Sequence, residues 1–328
     1  MTALLAADVD VWEFELHPEV WLIVAAAIGI GWYVVKVIAP HAVPAGTPAV
    51  TTAQKRYFVA ALAALYIASA WPVHDIAEEY LYSVHMIQHL LITFVVPPLF
   101  LLATPTWLAR LVVSEDGESG VWVRRLAHPV VAGVLFNAVI ALTHLPWVVN
   151  TSVENGPFHY FVHLAAFAVA MLMWIPVAGP LPELRLSLPG QMIFLFTMSI
   201  IPTVPAGFLT FAEGALYDSY DHDVRLWGVS IQTDQQTAGL IMKVVGGLFL
   251  WTIIAILFFR WAKQHEAPRR PGRTVASGAA VGESADSTGS SPPPERTGSD
   301  ALTFDEVERA FRESGPAPVE QGRATGDG

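Results

Sequence analysis

Seven long stretches of apolar residues, separated by short polar segments, dominate the chain. Each is close to the roughly 20 apolar residues that a helix needs to cross a bilayer. They cover residues 19–38, 57–73, 84–103, 127–145, 158–178, 190–209 and 236–260. The stretches are continuously apolar and do not alternate, which argues against membrane-spanning strands. The pattern predicts an all-α, multi-pass membrane protein, a bundle of seven transmembrane helices in a lipid bilayer.

The basic residues between these stretches predict the orientation of the bundle. Lys and Arg resist translocation, so the loops rich in them remain in the cytoplasm. Among the first six stretches, the loops on one side hold seven basic residues: Lys36, Lys55, Arg56, Arg110, Arg124, Arg125 and Arg185. The loops on the other side hold only Arg225. This asymmetry predicts an N-terminus outside the cell and a C-terminus in the cytoplasm.

Three regions are expected along the chain. Residues 1–18 form an extracytoplasmic segment, residues 19–263 the seven-helix domain, and residues 264–328 a disordered acidic cytoplasmic tail rich in Gly, Ser and Pro. Residues 1–10 carry Asp8 and Asp10 but no basic residue, so they lack the positive start of a cleaved signal peptide. The first helix is therefore expected to be retained.

Composition narrows the classes of function. Hydrophobic residues make up 53% of the chain and charged residues 14%. The net charge of −11 lies largely in the two ends and gives no sign of nucleic-acid binding. The chain has no cysteine, which excludes a disulfide framework and a thiolate metal site. A soft metal would have to be held by His and Met.

Histidines carry the candidate chemistry. His85 and His89 begin the third apolar stretch, and His159 and His163 begin the fifth with the same spacing. Residues four apart share a helix face, so each pair can present two imidazoles to one point. The predicted topology places both pairs, together with His144 at the end of the fourth stretch, at the outer membrane face. Intramembrane ionisable groups are costly and usually functional, so we predict a metal site formed by these five histidines. His74 is expected nearby in a supporting role.

Imidazole suits copper, zinc and iron, so the histidines by themselves leave these three metals open. The spacing of His85 and His89 matches H-E-x-x-H, but the sequence H-M-I-Q-H has no glutamate to act as the base of a metalloprotease. Iron desaturases need adjacent histidine pairs, which this chain lacks. A haem pair would need histidines facing each other at two depths, so haem ranks below copper.

Four motifs together resemble the CtaG-type (caa3-type) cytochrome c oxidase assembly proteins. The resemblance covers residues from about 17 to 260. The motifs are H-M-I-Q-H at 85–89, T-H-L-P-W at 143–147, H-Y-F-V-H at 159–163 and D-Q-Q-T-A-G-L-I-M at 234–242. An unrelated single-span copper chaperone shares the family name but carries cysteines, and the absence of cysteine separates this chain from it.

The resemblance implies a non-enzymatic factor in the prokaryotic cell membrane that helps to build a haem-copper oxidase, with copper as its cargo. Oxidase subunits are then the expected partners, and an extracytoplasmic or periplasmic copper donor is a further candidate. Matched by motif, Gln88, Asp234, Gln235 and Gln236 join the histidines as supporting groups. Lys243, directly after Met242, departs from the apolar or aromatic residue expected there.

The residues by themselves leave other functions open. A metal-dependent membrane oxidoreductase or a proton-coupled transporter could use the same histidines, in the second case as a proton relay. A haem-binding membrane protein is a weaker alternative.

Overall fold

A computed structural model describes residues 12–113, 117–222 and 225–265, and beyond these Arg309; the side chains of Glu118 and Ser119 are not described. In these ranges every regular element is a helix, which confirms the prediction of an all-α protein. The helices are α1 (Pro18–Ala42), α2 (Thr52–Ser69), α3 (Val73–Tyr80), α4 (Tyr82–Ala103), α5 (Thr106–Val112), α6 (Glu118–Leu126), α7 (Pro129–Thr143), α8 (Pro146–Glu154), α9 (Gly156–Ala178), α10 (Leu188–Phe211) and α11 (Ile231–His265). Short 3₁₀ turns cover Pro182–Leu184, Asp218–Tyr220 and Leu226–Gly228.

Five of these helices, α1, α4, α9, α10 and α11, are long and apolar enough to cross a membrane. Two bent pairs bring the number to seven if each counts as one span: α2 with α3, bent by 50°, and α6 with α7, bent by 70°. The described residues thus bear out a polytopic helical protein with five to seven spans. The orientation of the termini stays a prediction.

The ends of the predicted spans differ from the structure where the chain bends. The second span was predicted at 57–73, but its helix begins at Thr52, ends at Ser69 and turns into α3. Pro72 lies in this turn and lacks the amide hydrogen that would continue the helix. Residues 74–83, predicted as an outer loop, are therefore mostly helical.

The chain divides into two units, Met1–Arg269 and Arg270–Gly328. The predicted tail, residues 264–328, lies almost wholly outside the described residues. Gln264 and His265 still belong to α11, and Arg309 is helical and exposed. Most of the predicted N-terminal segment, residues 1–11, also lies outside them.

Helix α4 lies at the centre of the bundle and contacts α2, α9 and α11, while α7 packs on α9 and α10 packs on α11. Half of the most apolar 18-residue segment of α4 is buried, against 6% of the corresponding segment of α1 at the periphery. Trp174 links α9 to α4, because its indole N–H donates to the Thr93 carbonyl of α4 at 2.9 Å. Gly239 allows α10 and α11 to approach closely, because a Cβ there would lie 2.7 Å from the Ala206 carbonyl oxygen.

Four π-helical turns interrupt the long helices, at Val34–Ile38, Ile76–Tyr80, Leu91–Val95 and Ile241–Val245. Such turns insert one residue into a helix and often accompany functional sites. The second forms most of α3, the third follows His89 directly, and the fourth holds Met242. Three of the four turns therefore adjoin the polar residues described next.

Candidate metal site

Three helices bring six polar side chains to one end of the bundle. Helix α3 supplies His74 and Glu78, α4 supplies His85 and His89, and α9 supplies His159 and His163. In every case the two residues are four apart, so each helix presents both from one face. We call Glu78, His85, His89, His159 and His163 the buried cluster.

The imidazole rings of α4 and α9 converge. Within the helices, ring centroids lie 4.5 Å apart for His85 and His89 and 4.3 Å apart for His159 and His163. Across the helices, His163 lies 4.7 Å from His89 and 5.6 Å from His85. The four rings therefore form one contiguous group, as the spacing of the two pairs predicts.

Glu78 joins these histidines and was missed in the sequence analysis. Its Oε1 lies 3.2 Å from His85 Nδ1 and 3.9 Å from His163 Nε2, and its Oε2 lies 3.1 Å from His159 Nδ1. The side chain is 15% exposed, so the carboxylate is enclosed by imidazoles. A signal for it exists in the sequence, because H-D-I-A-E at 74–78 repeats the i, i+4 spacing of the two histidine pairs.

Within the described residues, the buried cluster contains two groups with the geometry of a metal site. The ligand atoms of His85, His89 and His163 lie within 4.8 Å of one another, and so do those of Glu78, His159 and His163. Metal–nitrogen bonds of about 2.0–2.1 Å place tetrahedral ligand atoms roughly 3.3 Å apart, so small side-chain movements would close either group on an ion.

His163 belongs to both groups, and its Nε2 is buried without a hydrogen-bond partner in the described part of the chain. Buried polar atoms are rarely left unpaired, and a bound ion is one of the accepted explanations for such an atom. The donor set of imidazoles and one carboxylate fits copper, zinc or iron.

Polar contacts position the ligands. The Gln88 amide nitrogen lies 3.2 Å from His74 Nδ1, and the Ser152 hydroxyl lies 3.3 Å from His159 Nδ1. Asp234, which is fully buried, accepts the backbone N–H groups of Tyr82 at 2.8 Å and Ser83 at 3.0 Å. It thereby caps the N-terminus of α4, the helix that carries His85 and His89.

The neighbouring glutamines hold a loop instead. Gln235 accepts the Leu216 backbone N–H at 2.9 Å, and Gln236 donates to the Ala212 carbonyl at 3.4 Å. Both contacts tie α11 to the segment that follows α10. Of the three supporting residues predicted in the D-Q-Q motif, only Asp234 acts directly on a ligand-bearing helix.

Aromatic residues close one side of the buried cluster. The Tyr82 ring stacks on His85 at 5.4 Å, and the Tyr220 hydroxyl donates to the Ala77 carbonyl at 2.9 Å. Burial raises the pKa of Tyr220 well above its usual value and that of Tyr217 to about 12, so both remain neutral donors. The Tyr217 hydroxyl donates to the His144 carbonyl at 3.0 Å.

His144 lies beside the buried cluster rather than in either ligand group. Its Nδ1 donates to the Ile140 carbonyl at 2.7 Å, and its Nε2 is buried without a hydrogen-bond partner among the described residues. His144 shares with His89 a small cavity of about 40 Å³.

Three methionines also line this cavity: Met86, Met198 and Met242. Met86 lies about 100° around α4 from His85, yet it reaches this cavity. Lys243 borders the cavity too, and it donates to the Thr203 hydroxyl and to the Ser199 carbonyl at 3.5 Å. An ammonium group thus lies at the edge of the methionine-lined cavity.

The chain is similar to three mycobacterial proteins. Uncharacterised proteins of Mycobacterium bovis and Mycobacterium tuberculosis are each 26% identical over 201 residues, or 56% of this chain and 30% of their own length. One of Mycobacterium leprae is 25% identical over 215 residues, or 60% of this chain and 32% of its own length. The chain thus spans about a third of the length of these curated relatives.

No solved structure gives a significant match to the chain. The family model for the cytochrome c oxidase caa3 assembly factor matches residues 31–264, which include the whole buried cluster. That match covers well over half of the chain and confirms the resemblance seen in the motifs. The chain belongs to the cytochrome c oxidase caa3 assembly factor family.

Proposed function

We propose that the buried cluster binds a copper ion as cargo and that the protein supplies this ion to a haem-copper oxidase during assembly. The observation that carries the proposal is the convergence of four imidazoles and one carboxylate from three helices, with His163 shared by two ligand groups. Two pairs of residues on separate helices need not meet, and here they do.

The chemistry of the ligands supports copper. Neutral imidazoles bind copper in either common oxidation state, and thioethers favour Cu(I). The methionine-lined cavity adjoins the cluster through His89. A site without thiolates holds copper less tightly than a cysteine site, which suits an ion that must be passed on.

Family membership supports a role in oxidase assembly, and therefore a non-catalytic role. The distribution of Lys and Arg favours an extracytoplasmic position for the cluster in the prokaryotic cell membrane. An oxidase copper centre that lies within the membrane toward its outer side would be at a matching depth. Oxidase subunits are the proposed recipients, and an extracytoplasmic copper donor is the proposed source.

The test compares His85→Ala and His159→Ala with His222→Ala, a matched control in an exposed histidine on the same predicted face. In cells that lack the native protein, the first two variants should insert normally but lower the copper content and activity of the oxidase. His222→Ala should behave as wild type. A fully copper-loaded, active oxidase beside either cluster variant would rule the proposal out.

Measurements on the purified protein distinguish the alternative functions. Turnover or ion flux by the protein alone, without an oxidase, would favour an oxidoreductase or a proton-coupled transporter. A Soret band would indicate haem.

A further inference from the structure

A second group of metal-ligating side chains lies at the N-terminal edge of the bundle. It consists of Glu15 and His17, which precede α1, and Asp75 of α3, whose ligand atoms lie within 4.8 Å of one another. We call these three residues the rim cluster. His17 and Asp75 come from positions 58 residues apart, and their side chains are 15% and 11% exposed.

The two ring nitrogens of His17 both face carboxylates. Nδ1 lies 3.2 Å from Glu19 Oε1, and Nε2 contacts Asp75 Oδ1. A neutral imidazole has only one N–H, so it can donate to one of these carboxylates but not to both. The two carboxylates therefore compete for the single N–H of a neutral ring.

Asp75 is also incompletely satisfied. Its Oδ2 is buried and has no hydrogen-bond partner within the described residues. Leaving an acceptor of an ionised carboxylate both buried and unpaired is costly, and a cation removes that cost. Glu15 is exposed, so the group remains open to solvent on one side.

The ligand types indicate the class of ion. One imidazole with two carboxylates is a donor set for a divalent transition-metal ion such as Zn²⁺ or Cu²⁺, whereas sites for Mg²⁺ and Ca²⁺ use oxygen ligands alone. The first twenty residues contain five acids and no Lys or Arg, which raises the local concentration of cations.

His74 connects the two clusters. Its ring centroid lies 4.8 Å from that of His17 and 6.0 Å from that of His159. Gln88 contacts its Nδ1 and fixes the ring between them. A continuous series of imidazoles therefore runs from His17 through His74 and His159 to His163 and His89.

We propose that the rim cluster is a second metal site, which takes a divalent transition-metal ion from solvent, and that His74 passes the ion to the buried cluster. The existence of the rim site stands on its own geometry. The transfer step rests on the proposed function, because it requires the buried cluster to bind metal.

The experiment measures bound Zn²⁺ in the purified full-length protein by metal analysis after removal of free ion. Wild type should retain two ions, and His17→Gln with Asp75→Asn should retain one. Glu13→Gln, which neutralises an exposed acid two residues from Glu15, should retain two. If the His17/Asp75 variant retains as much Zn²⁺ as wild type, the rim cluster is an ordinary hydrogen-bonded contact and the proposal is wrong.

A second measurement guards against loss of packing, because His17 and Asp75 also hold the N-terminal segment on α3. In a background of His85→Ala and His163→Ala, which breaks both ligand groups of the buried cluster, added Zn²⁺ should still raise the melting temperature, and His17→Gln should abolish that increment. An increment that survives His17→Gln would also overturn the rim site. The metal-free melting temperature of each variant reports the packing effect separately.

The transfer step has its own readout. His74→Ala should leave the count at two ions at equilibrium but slow the filling of the buried cluster at least about tenfold, a barrier increase of about 1.4 kcal/mol. An unchanged filling rate would refute the transfer. If His85→Ala and His163→Ala, which together break both ligand groups, remove no ion, the buried metal site fails while the rim site still stands.

Discussion

The buried cluster and the rim cluster combine the same two ligand types in opposite proportions. The buried cluster has four imidazoles on the long helices α4 and α9 and one carboxylate on the short helix α3, while the rim cluster has one imidazole and two carboxylates, partly on a segment outside the helices. Moving a neutral imidazole out of water costs little free energy. An ionised carboxylate has a much larger desolvation cost, which a hydrogen-bond donor or a positive charge must offset. The depth of a site therefore restricts its ligands, and an ion moving inward would meet progressively softer donors.

The strongest test of this contrast is the loss of His163, because it belongs to both ligand groups of the buried cluster. His163→Ala should lower the metal affinity of the buried site by about 100-fold or more, beyond the 10–100-fold typical of losing an outer-shell partner. His144→Ala, which removes a histidine outside both groups, should change it only a few-fold. Metal titration against a competing chelator measures both, and equal effects would show that His163 is not the shared ligand.

Glu78→Gln asks whether the single buried carboxylate acts as a ligand. The substitution keeps the shape but removes the charge that faces three imidazoles, so we expect a loss of metal affinity of about 10–100-fold. Glu79→Gln, the exposed neighbour, is the control and should have no effect. An affinity that survives Glu78→Gln would leave an all-histidine site.

Asp234→Ala tests whether the buried cluster depends on the helix that carries it. Two buried N–H groups at the start of α4 would lose their acceptor, which should destabilise the protein by about 1–2 kcal/mol. Asp234→Asn should retain part of the stabilisation, because the amide carbonyl oxygen can still accept a hydrogen bond. Thermal unfolding in detergent measures the difference, and the rim site should keep its affinity in both variants.

The smallest effect at neutral pH is expected at Tyr217, in the aromatic wall behind the buried cluster. Burial raises the folded-state pKa of Tyr217 to about 12, above the usual value of 10.0. A raised pKa means that this group's stabilising contribution is complete below pH 10 and is lost as the pH rises toward 12. In Tyr217→Phe, the loss of stability between pH 10 and pH 12 should therefore be smaller than in wild type. Identical alkaline unfolding curves would show that Tyr217 is not buried as described.

Much of the architecture follows from local patterns. Runs of about 20 apolar residues predict spanning helices because a bilayer leaves the backbone no other partners. The two histidine pairs were found by their spacing, since residues four apart share a face in any helix. Their common position at one predicted membrane face led us to expect that the pairs converge. They do converge, between α4 and α9.

Residues that the sequence analysis missed, or gave another role, have a role that depends on a bend or a distant contact. Glu78 was assigned to a loop because the 50° bend after α2 breaks the apolar pattern there. Asp234 was expected to support the histidines, and it does so through the backbone of α4, 151 and 152 residues away. The rim cluster was not foreseen, because neither His17 nor Asp75 belongs to a repeated motif.

The amino-acid sequence alone determined the helical membrane architecture and which helix faces carry imidazoles, because both depend on periodicities within a few turns. The tertiary structure decided which faces meet, which carboxylate enters the buried cluster, and that His17, His74 and His159 form a continuous path. Those outcomes depend on the bends at Pro72 and on the packing of α3, α4 and α9, which involve residues far apart in the chain. Such contacts leave no local period to read.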